Sequence, residues 1–138
     1  MKKVFFDTSA FVKRYVNESG SQRAIEICQQ ADELAMSIIG PPEVISTLCR
    51  LMRERTLSAE EYEQTKAKFL TDLENVTICN ITPEVMMQTT HCLEKYRLRA
   101  MDAIHLGCAL CYASDLFVSS DHRQIQAAQG MGLEIVEI

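Results

Sequence analysis

Short runs rich in apolar residues, KVFF, LAMSII, VTICNI, LFVSS and LEIVEI, recur along the chain with helical patterns between them. A run that is apolar at nearly every position suits a strand buried on both faces, and such strands belong to parallel sheets with helices on either side. Strands alternating with helices point the same way. The sequence therefore predicts an α/β fold: a three-layer α/β/α sandwich around a central, mostly parallel, five-stranded sheet. No repeat, linker or low-complexity tract interrupts the pattern, so residues 1–138 read as a single domain.

The helices carry their own signals. SAFVKRYV has Phe11, Val12, Tyr15 and Val16 at helical spacing. Ser19 followed by Gln22, and Ser58 followed by Glu61, have the spacing of a capping box. GPP stops the second strand and starts a helix, because proline suits the first helical turn. Thr82 and Pro83 are an N-cap and first position for TPEVMMQTTHCLEKY. The segment AMDAIHLGCALCYA is apolar nearly all round and is expected to be buried.

In open α/β sheets, ligands bind beyond the carboxyl ends of the strands. Asp7 follows the first strand, Glu43 follows the second after a short turn, and Asp121 follows the fourth after Ser119 and Ser120. These acids are expected on one rim. Asp102 arrives differently, in the first turn of the apolar helix, an expensive place for an unpartnered carboxylate. Each aspartate alone also suits a helix cap or a first helical turn. Acids converging on one rim repel one another and call for cations. Hard oxygen ligands suit Mg²⁺ or Mn²⁺.

Charge and cysteine usage narrow the classes. The formal net charge of −5 argues against a nonspecific polyanion binder acting through bulk charge. Lys13 and Arg14, Arg50 with Arg53 and Arg55, and Arg97 with Arg99 form local basic groups. Asp7 interrupts the opening apolar stretch where a secretory leader would continue, so the chain is expected in the cytoplasm. No stretch approaches a membrane span. The Cys108/Cys111 pair lacks a second ligand pair for zinc and is expected to be reduced and structural, like the other cysteines.

The motifs FFDTSAFVKRY, PPEVISTLCRL, RAMDAIHLGCAL and FVSSDHRQIQAAQGMGLEIV stand in this order along nearly the whole chain. Together they resemble the PIN-domain family, and within it the VapC-type toxins of toxin–antitoxin pairs. The resemblance implies metal-binding and catalytic acids at Asp7, Glu43, Asp102 and Asp121. It places supporting hydroxyls at Ser9 and at Ser119, where the family often has Thr. It further implies a Mg²⁺- or Mn²⁺-dependent endoribonuclease, an RNA substrate, a cognate antitoxin and a homodimer.

Under that reading, water attacks the phosphodiester and leaves a 3′-hydroxyl and a 5′-phosphate. Asp7 and Asp102 are the foremost metal ligands, and Glu43 is a further ligand or a proton acceptor. Arg14, Arg50 and Arg99 are expected to hold RNA, with Arg50 sharing a helix stripe with Glu43. His105 is expected to hydrogen-bond a neighbour beneath the site, with Asp102 within its reach. The amphipathic helices between residues 41 and 74 are the expected dimer surface. The alternative is a PIN-fold module that binds RNA or protein without cleaving, whose marker, a missing acid, is not seen. A dehalogenase-like phosphotransferase would want a second Asp where Ser9 stands, and a receiver domain would want an acidic pair where Thr8 follows Asp7.

Overall fold

In the computed structural model, which describes residues 1–138, the apolar runs form one sheet with strand order β3-β2-β1-β4-β5. The strands are β1 (Lys3–Phe6), β2 (Glu33–Ser37), β3 (Val76–Cys79), β4 (Leu116–Ser119) and β5 (Ile135–Glu137). Every pairing is parallel, so the expected mostly parallel sheet is parallel throughout. Between β1 and β2 lie α1 (Thr8–Phe11), a 3₁₀ turn (Val12–Arg14) and α2 (Ser21–Gln30). Between β2 and β3 lie α3 (Gly40–Arg53) and α4 (Ala59–Leu73). Then come α5 (Pro83–Lys95) and α6 (Ala100–Tyr112) before β4, and α7 (His122–Gly130) before β5. No helix is long and apolar enough to cross a membrane.

The alternation of side chains along β1 divides the core in two. Val4 and Phe6 face one layer with Phe11, Val44, Leu48 and Phe69. Phe5 faces the other with Phe117, Val85, Leu106 and Ile125. Both faces of the central strands are therefore dry, which is why their sequences run apolar without a break. Each fully buried side chain of this size contributes about 1.5–3 kcal/mol of transfer free energy.

Several local expectations meet the structure in detail. Ser58 and Glu61 close a capping box on α4, and Thr82 accepts a hydrogen bond from Val85 N to cap α5. The Ser19–Gln22 box does not form. Gly20, at φ 91°, turns the chain left-handed into α2, and Ser21 Oγ instead donates to Val16 O and accepts from Glu18 N. The first predicted helix tightens into a 3₁₀ turn after α1, which sets the Phe11 and Tyr15 rings together against Phe69.

α5 and α6 approach closely. A Cβ on Gly107 would overlap Thr89 Oγ1 and stand 2.9 Å from the Val85 carbonyl oxygen. Only glycine permits this spacing, and it presses α6, with Asp102 and His105, onto its side of the sheet.

Candidate active site at the switch in strand order

β1 sits between β2 and β4: the chain steps outward from it through β2 to β3, then crosses back to place β4 and β5 on its other side. Such a reversal opens a crevice at the carboxyl ends of the strands. Asp7 is the residue that β1 delivers there. Its backbone N–H still bonds Val118 O at 3.1 Å, continuing the sheet, while its side chain caps α1 through Ala10 N at 3.0 Å.

The Asp7 carboxylate is only 1% exposed, yet donors surround it. Ser9 Oγ lies 2.8 and 2.9 Å from its two oxygens, and Ser119 Oγ donates to Oδ2 at 2.7 Å. Gln124 Nε2 donates to Oδ2 at 2.9 Å. Burial nevertheless pushes the Asp7 pKa above the ordinary aspartate range, against the opposing field of His105 and the hydrogen bonds from Ser119, Ser9 and Ala10. Desolvation outweighs the local donors, and a nearby cation would reverse that balance.

The serines tie the rim together. Ser9 Oγ accepts from Ser120 N at 3.1 Å, and Ser119 Oγ accepts from Asp121 N at 2.9 Å. Asp121 in turn caps α7, accepting from Arg123 N at 2.9 Å. The cap role and the rim position are thus compatible in one residue.

Glu43 sits in the first turn of α3, where Pro41 and Pro42 start the helix. Its Oε1 accepts from Thr8 Oγ1 at 2.7 Å and stands 2.6 Å from His105 Nε2. Burial opposes ionisation, but the hydrogen bonds from His105 and Thr8 prevail and hold the Glu43 pKa below the usual glutamate range. His105 is buried, and its Nδ1 has no partner. A carboxylate only accepts, so the ring proton is assigned to Nε2. The sequence put Asp102 within reach of this histidine; the partner is Glu43, brought across from the other helical layer.

Gln124 is the residue that the sequence reading missed. It is buried, and its Nε2 donates both to Asp7 Oδ2 at 2.9 Å and to Asp102 Oδ1 at 3.2 Å. Only an NH₂ group can satisfy two carboxylates at once, which fixes the amide's orientation. Its Oε1 is buried without a partner. The available signal was helical spacing: Gln124 lies three residues after Asp121 at the start of α7, so both reach the same rim.

The cleft has a volume of about 320 Å³ and is lined by no hydrophobic residue; Ser46 and Thr47 of α3 complete its wall. No three of its acid and imidazole groups close around one point as a ready-made metal cage. The donor set is nevertheless all hard oxygen. A single amide NH₂ holding two carboxylates, one of them fully buried, marks where positive charge is wanted. These residues fit Mg²⁺ or Mn²⁺ better than a soft metal.

Of the predicted basic residues, Arg99 lines the cleft, with its Nε 3.4 Å from Asp102 Oδ2. Arg14 and Arg50 do not. The Arg14 guanidinium faces Asp72 at 3.6 Å and lies over the Phe11 and Tyr15 rings. Arg50 pairs with Glu54 at 3.2 Å, one turn along an exposed stretch of α3. Both are held by neighbours on their own side of the fold. The C-x-x-C pair splits, with Cys108 buried and Cys111 exposed, and all six cysteines are free.

The model of the PIN domain family matches residues 4–130. The chain belongs to the PIN domain family. Among curated PIN proteins it is similar to ribonuclease VapC45 of Mycobacterium tuberculosis strain CDC 1551, with 30% identity over 110 residues, 80% of this chain and 76% of the relative. Ribonuclease VapC49 of strain H37Rv matches to the same extent. A toxin–antitoxin complex from Klebsiella pneumoniae contains a chain of the same fold, with a TM-score of 0.71, 18% identity and coverage of 98% of this chain and 99% of that one. VapC20 of M. tuberculosis, described as a sarcin–ricin loop cleaving toxin, superposes with a TM-score of 0.69 at 15% identity, covering 98% of each chain. These PIN structures share the α/β sandwich described above.

Proposed function

We propose that this chain is a divalent-metal-dependent endoribonuclease of the toxin kind, restrained by a partner antitoxin. One observation carries the reading: in a PIN-family chain, a buried Asp7 carboxylate at the switch in strand order is joined to Asp102 by one amide, with Glu43 and Asp121 on the same rim. The ribonuclease names of its relatives support the activity. The toxin–antitoxin complexes among its structural neighbours support a protein inhibitor.

Asp7, Asp102, Asp121 and Glu43 would hold Mg²⁺ or Mn²⁺, which when bound lowers the pKa of water towards neutrality and offsets charge on the phosphodiester. The chain's own residues do the rest. Ser9, Ser119 and the Ala10 N–H fix the Asp7 oxygens, so the carboxylate does not rotate away as substrate enters. Glu43 is held through Oε1 by Thr8 and His105, which leaves Oε2 free to accept a proton from the attacking water. Water oxygen bonds to phosphorus, the bond from phosphorus to the 3′-oxygen breaks, and that oxygen takes up a proton. The products are a 3′-hydroxyl and a 5′-phosphate.

The protein is proposed to act as a homodimer. Helices α3 and α4 commit Val44, Leu48, Tyr62 and Phe69 to this chain's own core and expose Leu70, whereas α5 exposes Met86, Met87 and Leu93. The larger uncovered apolar face is therefore on α5 rather than between residues 41 and 74.

The test is cleavage of single-stranded RNA by the purified chain with added Mg²⁺ or Mn²⁺. Activity should vanish with EDTA and fall at least about a hundredfold in Asp7→Asn. Metal-independent cleavage, or full activity in the variant, overturns the mechanism.

A further inference from the structure

Beyond Asp102 and Asp121 the cleft opens into a second hollow of about 380 Å³, whose other walls are Arg97, Arg99 and Arg123. Arg99, Asp102 and Asp121 line both hollows, so the basic one adjoins the acidic one directly. Arg97 and Arg123 form no ion pair within the chain. Arg99 stands 3.4 Å from Asp102 while its side chain stays 86% exposed, so this pair is weakly held. Arg97 and Arg123, gathered with Arg99 in one hollow and without carboxylate partners of their own, attract an anion. The backbone adds to this: α6, 13 residues long, begins at this wall, and its N-cap Arg99 makes no side-chain capping bond. The first-turn N–H groups of α6 therefore remain open donors beside the arginines.

We infer that Arg97, Arg99 and Arg123 bind a phosphodiester of the RNA strand adjacent to the one being cut. The inference rests on the ribonuclease reading and adds the path of the strand to it. Planar guanidinium forks match phosphate oxygens two at a time. RNA carries an anion at every nucleotide, so a strand with one phosphate over the acids presents the next within reach of the adjoining hollow. An acidic peptide could fill the arginine hollow but has no reason to continue over the carboxylates. For a chain of net charge −5, this local site replaces the bulk attraction that the protein lacks.

The experiment measures binding and cleavage separately. Binding of a fluorescein-labelled mixed-sequence single-stranded RNA is followed by anisotropy in EDTA over a series of salt concentrations. The full chain is compared with Arg97→Ala/Arg123→Ala, and with Arg50→Ala as a control outside the cleft. The double variant should bind about five- to tenfold more weakly at low salt, and its log K against log salt slope should fall by about 0.7 for each phosphate that is no longer neutralised. Arg50→Ala should match the parent. In cleavage with Mg²⁺, the double variant should raise KM and leave kcat within about twofold. Parental affinity, slope and KM in a double variant with an unchanged circular dichroism spectrum overturn the subsite while the nuclease reading stands. A parent chain that neither binds nor cleaves RNA overturns both. Polyglutamate competing as well as RNA, with the same weakening in the double variant, overturns the phosphate assignment in favour of an acidic protein partner.

Discussion

His105 Nε2 stands 2.6 Å from Glu43 Oε1, joining the middle of α6 to the first turn of α3 across the top of β1. The two residues come from opposite helical layers, and Thr8 Oγ1 donates to the same oxygen. Glu43 is thereby aimed by two neighbours that share the wall of the cleft with it. Replacing His105 with Gln should lower kcat for RNA cleavage by about 10- to 100-fold, the usual effect of losing a supporting partner. Divalent-ion affinity, read by calorimetry, should weaken as well. Parental rates and affinity in this variant would rule out the aiming role.

A divalent ion held at the buried Asp7 carboxylate would have a thermal consequence. A ligand that binds only the folded chain stabilises it by mass action, about 1.4 kcal/mol at ten times its dissociation constant. Adding millimolar Mg²⁺ or Mn²⁺ should therefore raise Tm by several degrees, and the rise should be absent in Asp7→Asn. An equal rise in both chains would place the bound ion elsewhere.

The pH dependence of the metal-free chain follows from the sign of the Asp7 shift. Its folded pKa lies above the ordinary 3.8, so its contribution is present below 3.8 and is lost as pH rises through the folded value. The stability of the parent relative to Asp7→Asn should accordingly fall over that interval. Glu43, held below its usual 4.5, acts oppositely: its contribution is present above 4.5 and lost as pH falls through the folded value. Denaturant melts of parent, Asp7→Asn and Glu43→Gln across about pH 3 to 8, a range that spans the ordinary carboxylate values and several units above them, would reveal either sign. A parent-minus-Asp7→Asn difference that rises with pH would contradict the burial argument.

Gly107 offers a test of the scaffold. Gly107→Ala should cost about 1–3 kcal/mol in denaturant unfolding, because a methyl group must push α6 from Thr89 and the Val85 carbonyl. A neutral effect would mean that the two helices can separate freely, and that the position of Asp102 does not depend on their close packing.

The uncovered side chains of α5 bear on assembly. Met87 is 58% exposed, so Met87→Lys should leave the fold intact and shift the mass measured by light scattering from dimer towards monomer. A monomeric parent, or a dimeric variant, would move the interface away from this helix.

Much of this architecture could be read from residue order. The run Val4–Phe6 is apolar at every position because β1 has helices on both sides, and that same fact placed Asp7 at a crevice. Glu43 and Asp121 followed from their places just after strands. What the order of residues did not disclose was lateral: which charged groups on different helices would meet. His105 faces Glu43 rather than Asp102 because the sheet lies between the layers and its upper edge is where they converge. Arg14 looked available beside Asp7, but the 3₁₀ turn swings it to Asp72. Gln124 carried no charge to draw notice, and its importance appears only when Asp7 and Asp102 are placed on either side of it.

The central position of β1 also dictates when during synthesis the site can exist. The neighbours that complete the surroundings of Asp7, Ser119 and Gln124, follow it by 112 and 117 positions. Until β4 and α7 have emerged, the middle of the sheet has an open edge and the carboxylate has no donors from that side. A chain that stops before β4 and α7 therefore holds the acid without the pocket around it.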